Sequence, residues 1–179
     1  KTVVLLTGTI SSPTSKQVIA EFLAKYPGSK HVQFDAVSYN AILLANEATY
    51  GKKVIPSYHF DNAKVIVSLG ADFLGTWLSP VEFTKQYAVG RKVNQKNPEI
   101  SKHFQFESML SLSGANSDER YTHLPSAAGT VATALLSAIQ GQGAAGVDGK
   151  LKAGIEAAAK ALNENKGKGL VVSGSTNKD

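Results

Sequence analysis

Short runs of apolar, largely β-branched residues that end in glycine recur along the chain. The three clearest runs are residues 2–8, 64–70 and 169–174. Because they are continuously apolar rather than alternating, they are typical of strands covered on both faces, as in parallel sheets. A glycine at the carboxyl end of such a strand permits a positive φ and a close backbone approach, at the sheet edge where α/β proteins bind ligands.

Apolar residues at helical spacing fill most of the chain between these strands. Ser12-Pro13 and Ser79-Pro80 each have the form of an N-cap followed by a first-turn proline. The predicted helices cover residues 13–26, 38–50, 80–90, 127–139 and 152–162, and further short strands are predicted at 31–34 and 103–106. This alternation of strands and helices predicts an α/β fold with a mainly parallel sheet flanked by helices.

The length of 179 residues fits one ordinary domain, and we interpret residues 1–179 as a single Rossmann-like α/β domain. Five of the 16 glycines lie between Gly141 and Gly154, which predicts a glycine-rich internal loop over residues 141–151. The chain enters a strand at once without methionine and stops just after another strand's glycine loop. We therefore expect a piece excised from a longer polypeptide, the alternative being a processed or tagged small protein.

Composition narrows the possible chemistry. The net charge of +5 comes almost entirely from dispersed lysines, since Arg91 and Arg120 are the only arginines. Nucleic-acid readers depend on arginine and on clustered charge, so we expect no nucleic-acid partner. The absence of cysteine excludes disulfides, thiolate metal sites and iron–sulfur ligation within these residues. No apolar run approaches the ~20 residues that a membrane-spanning helix needs.

The most informative segment, residues 64–83, combines a buried strand, a glycine turn, Asp72 at the sheet edge and a capped helix. Such a crevice suits a nucleotide, because backbone N–H groups can face phosphates and a carboxylate can accept from a hydroxyl or a guanine edge. An aspartate after a strand can equally hydrogen-bond its own loop. The residues alone leave both roles open for Asp72.

Three ordered segments resemble the molybdopterin oxidoreductase family, and in particular the large iron–sulfur subunit of bacterial alternative complex III, a quinol-oxidising membrane complex. They are GADFLGTWLSP at residues 70–80, FQFESMLSLSGANSDER at 104–120 and, more weakly, LLTGTISSP at 5–13. The resemblance implies a Rossmann-like domain that, in active relatives, cradles a pterin–guanine dinucleotide of the molybdenum cofactor. It also implies that the longer parent polypeptide carries iron–sulfur clusters elsewhere and lies on the periplasmic face of the cytoplasmic membrane.

The resemblance also suggests cofactor-binding positions. Gly70 and Asp72 fall where the family shows Gly-x-Asn, Glu107 falls at the aspartate of Asp-Pro-Arg, and Asp118 matches the aspartate of a later Ala-Asp pair. Pro125 matches the proline of a Pro-Gly-Thr-Asp turn.

The departures from these motifs are substantial. Asp72 replaces an amide, Ser108-Met109 replaces Pro-Arg, and residues 126–128 replace Gly-Thr-Asp. An anionic dinucleotide would meet extra carboxylates and lose a cation, and a lost charge-assisted contact is worth ~1.5–3 kcal/mol. The sequence therefore predicts a degenerate dinucleotide site.

Three functional hypotheses follow from these residues. The leading one is a scaffolding domain without cofactor in an iron–sulfur electron-transfer subunit of a respiratory quinol-oxidising complex, not catalytic alone. Its partners would be the remainder of its own polypeptide and other subunits of that complex. The alternatives are a working molybdenum oxidoreductase domain that binds the dinucleotide through Gly70, Asp72, Glu107 and Asp118, and a free-standing nucleotide-binding α/β protein.

Other constellations carry little chemistry. The four histidines lack metal-ligand spacing and are interpreted as surface or capping residues. No serine has an evident histidine–acid partner, and the Gly8 loop lacks the lysine of a phosphate-binding loop. We therefore predict no catalytic residue and no metal site.

Overall fold

The computed structural model describes residues 2–93, 95 and 98–177 of the chain. These residues form two compact units, and the chain passes from the first to the second between residues 40 and 41. Every strand pairing in both units is parallel, and helices connect most of the strands. The predicted α/β fold with parallel strands and flanking helices is confirmed, whereas the interpretation of residues 1–179 as one domain stays a prediction.

The first unit is a single βαβ motif. Strand β1 (Val4–Thr7) pairs with β2 (Lys30–Gln33), and helix α1 (Pro13–Ala24) connects them. The helix begins as the sequence predicts: the hydroxyl oxygen of Ser12 accepts a hydrogen bond from the Ser15 N–H, and Pro13 occupies the first turn. None of the described side chains in this unit is fully buried. Its strands are therefore much less protected than those of the second unit.

The second unit contains the core of the protein. Its elements are helix α2 (Asn40–Tyr50), β3 (Val65–Leu69), α3 (Pro80–Arg91), β4 (Lys102–Glu107), α4 (Leu112–Ala115), β5 (Glu119–Thr122), α5 (Ala128–Ile139), α6 (Gly149–Glu164) and β6 (Gly169–Ser173). Short 3-10 turns lie at Phe60–Asn62 and Pro125–Ala127. The sheet has the order β5-β4-β3-β6. Strands β4 and β3 are therefore the inner strands, and β5 and β6 lie at the edges.

The two faces of this sheet differ in character. On one face Val67, Phe104 and Phe106 pack against α5 and α6 in a fully apolar core, with Ile155 of α6 completely buried. On the other face, strand β4 presents His103, Gln105 and Glu107, all buried, beneath α3 and an aromatic cluster. Burying three polar side chains in one row requires that they find partners within the protein.

Four details differ from the sequence prediction. The strands lie in two sheets, of two and four strands, rather than one. Residues 119–122 form an edge strand that was not predicted, because Glu119, Arg120 and Thr122 give it no apolar pattern. Residues 111–118, for which neither a helix nor a strand is predicted, contain the short helix α4. The predicted glycine-rich loop 141–151 ends earlier, since α6 already begins at Gly149.

Among the residues that the structure describes, no helix is both long and apolar enough to cross a membrane.

Candidate functional site

Three of the four predicted site residues lie at the carboxyl edge of the four-stranded sheet. Gly70 follows β3 with φ of +69°, a conformation that favours glycine, and its N–H donates to the Phe106 carbonyl at 2.8 Å. Asp72 lies two residues further on, and Glu107 is the last residue of β4. Because β3 and β4 pair in parallel, these three residues lie at one edge of the sheet.

The carboxylate of Asp72 holds helix α4. The backbone N–H and the hydroxyl of Ser113 both donate to Asp72 Oδ1 at 2.9 Å. The Ser113 hydroxyl oxygen in turn accepts from the Leu74 N–H at 2.9 Å, so the turn after β3 and helix α4 are joined twice. The more distant Oδ2 accepts from the Thr76 hydroxyl at 3.4 Å. Of the two roles that the sequence left open, this geometry favours the one in loop structure.

Glu107 is buried, with only 3% of its surface exposed, and both of its carboxylate oxygens are occupied. Arg120 Nε donates to Oε1 at 2.5 Å, while the Ser111 hydroxyl and the Gln105 amide donate to Oε2 at 2.6 and 3.0 Å. Burial raises the pKa of Glu107, but the hydrogen bonds from Ser111, Arg120 and Gln105 outweigh it, so the pKa lies below its usual value. The carboxylate is therefore ionised and internally neutralised.

Asp118 lies at the opposite edge of the sheet, immediately before β5. Arg91 donates to both of its oxygens, at 2.6 and 2.7 Å, and the His103 N–H donates to Oδ2 at 2.7 Å. Burial raises the pKa of Asp118, and the Arg91 and His103 hydrogen bonds lower it further than burial raises it. The structure thus places Asp118 in an ion pair between α3 and the sheet, and not with Gly70, Asp72 and Glu107.

The sequence interpretation missed a buried polar chain along β4. His103 was predicted to be a surface or capping residue, but it is fully buried, so that prediction is wrong. Its Nε2 lies 3.1 Å from Gln105 Oε1, and its Nδ1 lies 3.3 Å from the Tyr87 hydroxyl oxygen. Gln105 continues the chain to Glu107. The only sequence signal was the spacing of the polar residues at every second position of a strand, which is equally typical of a solvent-exposed face.

The polarity of this chain follows from Glu107. An ionised carboxylate only accepts hydrogen bonds, so the amide nitrogen of Gln105 must face Glu107 and its carbonyl must face His103. His103 Nε2 therefore carries the hydrogen, and Nδ1 is left as an acceptor. The Tyr87 hydroxyl then has one hydrogen for two acceptors, His103 Nδ1 and the Asn116 carbonyl at 3.0 Å. Burial lowers the pKa of His103 to about 4, which keeps the ring neutral.

Open space lies at the other edge of the sheet. Two grooves of about 400 and 430 Å³ share Lys64, Glu99 and Ile100 near the amino ends of β3 and β4. The charges there pair with each other: Lys64 lies 3.3 Å from Glu99, and Lys160 lies 3.9 Å from Glu164. In residues 2–93, 95 and 98–177, no group of three or more His, Asp or Glu side chains could hold a metal ion.

A pterin–guanine dinucleotide does not fit the residues found at the carboxyl edge. The guanine edge needs a free carboxylate, but the Glu107 carboxylate is saturated by Ser111, Gln105 and Arg120. Phosphates need a free cation, but Arg120 is paired with Glu107. Asp72, whose Oδ1 accepts hydrogen bonds from Ser113, would add a negative charge beside the phosphates. The hydrogen bonds of Asp72 and Glu107 therefore stabilise the loops at this edge.

Comparisons with known proteins inform the fold. No protein-family model matches the chain, and no curated protein matches it. A solved structure that is similar is the X-ray crystal structure of the formyltransferase/hydrolase complex (FhcABCD) from Methylorubrum extorquens with methylofuran, with a TM-score of 0.51 and 15% identity. The match covers 96% of this chain but 53% of that chain, so this chain spans about half its length. At this identity the likeness shows an α/β fold alone, and the resemblance to molybdopterin oxidoreductases stays a prediction.

The role of Asp72 in holding α4 can be measured directly. We expect Asp72→Ala to lower the free energy of unfolding by roughly 1–3 kcal/mol, because the Ser113 N–H and hydroxyl lose their shared acceptor. Amide hydrogen exchange at Ser113 and Leu74 should accelerate more than exchange in β3. Asp61→Ala is the control, since Asp61 has only a 3.7 Å contact with exposed His59. Equal losses in the two variants would contradict a holding role.

Proposed function

We propose that this chain is a non-catalytic scaffolding α/β domain that works within a protein assembly. The observation that carries the proposal is the saturation of the carboxyl edge, where α/β proteins bind ligands. Asp72 and Glu107, the two acidic groups at this edge that the sequence singled out, are bonded to the protein's own serines, glutamine and arginine. An edge used in this way serves the fold rather than a substrate.

The specific form of the proposal is a molybdopterin-like domain, without the cofactor, in an iron–sulfur electron-transfer subunit of a quinol-oxidising respiratory complex. Two observations support it. The sequence resemblance covers the segments around β3 and β4, and its dinucleotide positions carry the wrong residues for an anionic ligand. The solved structure with a similar fold is itself part of a multi-subunit complex. Redox chemistry would then belong to parts of the parent outside this cysteine-free chain.

Titration with a guanine nucleotide tests the proposal. We expect GDP to show no saturable binding to the 179-residue chain at millimolar concentration, because Glu107 has no free acceptor and Arg120 has no free charge. Isothermal titration calorimetry measures this directly. Saturable binding that Glu107→Gln abolishes would overturn the scaffolding role and favour a nucleotide-binding or molybdenum-cofactor domain. Stoichiometric molybdenum and pterin in the intact parent would overturn the specific form.

A further inference from the structure

A continuous chain of buried hydrogen bonds along strand β4 can run in either of two directions. It passes from Glu107 through the Gln105 amide and the His103 ring to the Tyr87 hydroxyl, which also contacts the Asn116 carbonyl. Gln105 and His103 are fully buried, so water does not offer them other partners. Each can exchange its donor and acceptor sides, the amide by turning over and the neutral ring by changing tautomer. The groups at the ends of the chain therefore decide its direction.

The end at Glu107 is surrounded by donors. Glu107 Oε1 accepts from Arg120 Nε at 2.5 Å and from the Ser111 N–H at 3.3 Å. Glu107 Oε2 accepts from the Ser111 hydroxyl and from the Gln105 amide. While Glu107 is charged it can only accept, so Gln105 turns its carbonyl oxygen toward the ring of His103. In this first direction His103 carries its hydrogen on Nε2.

A neutral side chain at position 107 reverses the chain. In Glu107→Gln the amide oxygen must stay beside Arg120 Nε and the Ser111 N–H, because both can only donate. The new NH2 group then takes the place of Oε2 and donates to Gln105, whose amide turns over and offers its own NH2 to His103. The ring now accepts at Nε2. It stays neutral, because the hydrogen lost from Nε2 to water is replaced by one that Nδ1 gains from water.

The far end of the chain changes with this direction. In the first direction the Tyr87 hydroxyl has one hydrogen for two acceptors, His103 Nδ1 at 3.3 Å and the Asn116 carbonyl at 3.0 Å. In the second direction His103 Nδ1 donates to the Tyr87 oxygen, and the Tyr87 hydrogen goes to Asn116 alone. Tyr87 belongs to α3 and Asn116 directly follows α4. The direction of the chain therefore alters a bond between α3 and the end of α4.

We infer that strand β4 carries a hydrogen-bond relay, in which the charge of Glu107 sets the tautomer of His103 and thereby the strength of the Tyr87–Asn116 bond. The relay goes beyond a static scaffold, since it couples the carboxyl edge of the sheet to a helix contact near the opposite edge. A two-state element that is biased from both ends is the physical basis of such coupling.

Arg120 holds the relay in its first direction. The groups that pack against the Glu107 carboxylate come from three elements: Gln105 of β4, Ser111 and Gly114 of α4, and Arg120 of β5. Among these groups only Arg120 is charged, and its ion pair favours the carboxylate over the neutral acid. In the native protein, reversal of the relay therefore requires that Glu107 lose this pairing and become neutral.

NMR of the ring nitrogens of His103 tests the relay, because a nitrogen with a hydrogen and one without resonate at different positions. At neutral pH we expect the hydrogen on Nε2 in the native chain and on Nδ1 in Glu107→Gln, so that the two resonances exchange positions. Tyr87→Phe should leave the hydrogen on Nε2, since Glu107 still sets the direction. A hydrogen on Nδ1 in the native chain would overturn the inference, and so would an unchanged tautomer in Glu107→Gln.

Two further variants separate the relay from a direct effect of charge. Methionine resembles glutamine in length but cannot form these hydrogen bonds, so Gln105→Met interrupts the chain. In that background Glu107→Gln should leave the tautomer of His103 unchanged. If the tautomer still followed position 107, the electric field of the carboxylate would be its cause and the relay would be refuted. Glu164→Gln removes the same charge from an exposed position on α6 and should not alter the tautomer.

A double-mutant cycle tests the far end of the relay. Tyr87→Phe should raise the unfolding equilibrium constant by an additional factor of about two to ten in Glu107→Gln compared with the native chain. The reason is that the Tyr87 hydroxyl makes two full hydrogen bonds in the second direction, whereas it shares one hydrogen in the first. Urea unfolding of the four chains measures this factor. Equal effects of Tyr87→Phe in both backgrounds would contradict the coupling.

Discussion

Replacing Glu107 with alanine is expected to destabilise the second unit by roughly 3 kcal/mol, the lower end of the cost of breaking a buried ion pair, since Arg120 can still reach water. The variant removes the acceptor for Arg120 Nε, the Ser111 hydroxyl and the Gln105 amide at once. The fully buried Gln105 amide would then lack a partner, whereas Ser111 and Arg120 are only partly shielded from solvent. Urea unfolding monitored by circular dichroism measures the difference.

Two comparisons make this expectation specific. Glu107→Gln keeps the shape and one acceptor oxygen, so it should lose less stability than Glu107→Ala. Glu164→Ala removes a carboxylate from an exposed pair, with 3.9 Å between Lys160 and Glu164, and should change stability by less than about 0.5 kcal/mol. If Glu107→Ala cost no more than Glu164→Ala, Glu107 would not be holding the carboxyl edge together.

The strands were predictable where the chain has a short β-branched run. The run before Gly70 is apolar because β3 is buried on both faces, and this requirement is visible in the sequence. The similar runs of β1 and β6 also form strands, although most of their side chains are exposed or only partly buried. Strand β5 is an edge strand whose side chains find partners individually: Glu119 pairs with Lys102, and Tyr121 stacks on Phe106 at 5.3 Å. Such pairings depend on which strands are neighbours in the sheet, and the local sequence pattern does not specify the neighbours.

The candidate site was predictable only in part, because it too depends on which strands are neighbours in the sheet. Residues that follow a parallel strand meet at the carboxyl edge, and this rule correctly brings Gly70, Asp72 and Glu107 together. Without a strand at residues 119–122, Asp118 would belong to the loop after β4 and would lie at that edge as well. Because residues 119–122 form a strand, Asp118 instead precedes β5 and lies at the amino edge, bound to Arg91. Because strand β5 is not predicted from the sequence, the rule places Asp118 at the wrong edge of the sheet.

His103 gives the second expectation of large effect, a loss of stability in mild acid. Burial lowers the pKa of folded His103 to about 4, whereas an unfolded histidine titrates near 6.5. Between these values the unfolded chain binds a proton that the folded chain does not, so stability falls as the pH falls from about 6.5 to about 4. A difference of this size corresponds to roughly 3 kcal/mol in total. The hydrogen bond to Gln105 and the charges of Asp118 and Glu107 raise the pKa, and Arg91 lowers it.

The pH range separates this effect from that of the carboxylates. The pKa values of Glu107 and Asp118 are lowered in the folded state. Their contribution to the free energy of unfolding is therefore lost as the pH falls from about 4, where unfolded carboxylates titrate, to the lower folded values. Urea unfolding between pH 7 and pH 4.5 therefore reports on His103. His103→Gln, whose amide can still donate to Gln105, should flatten the pH dependence in this range whatever it does to stability at pH 7. His59→Gln, at an exposed histidine, should leave the pH dependence intact. If the pH dependence of the free energy of unfolding were unchanged in His103→Gln, protonation of the buried imidazole would not be the cause of the loss of stability in mild acid.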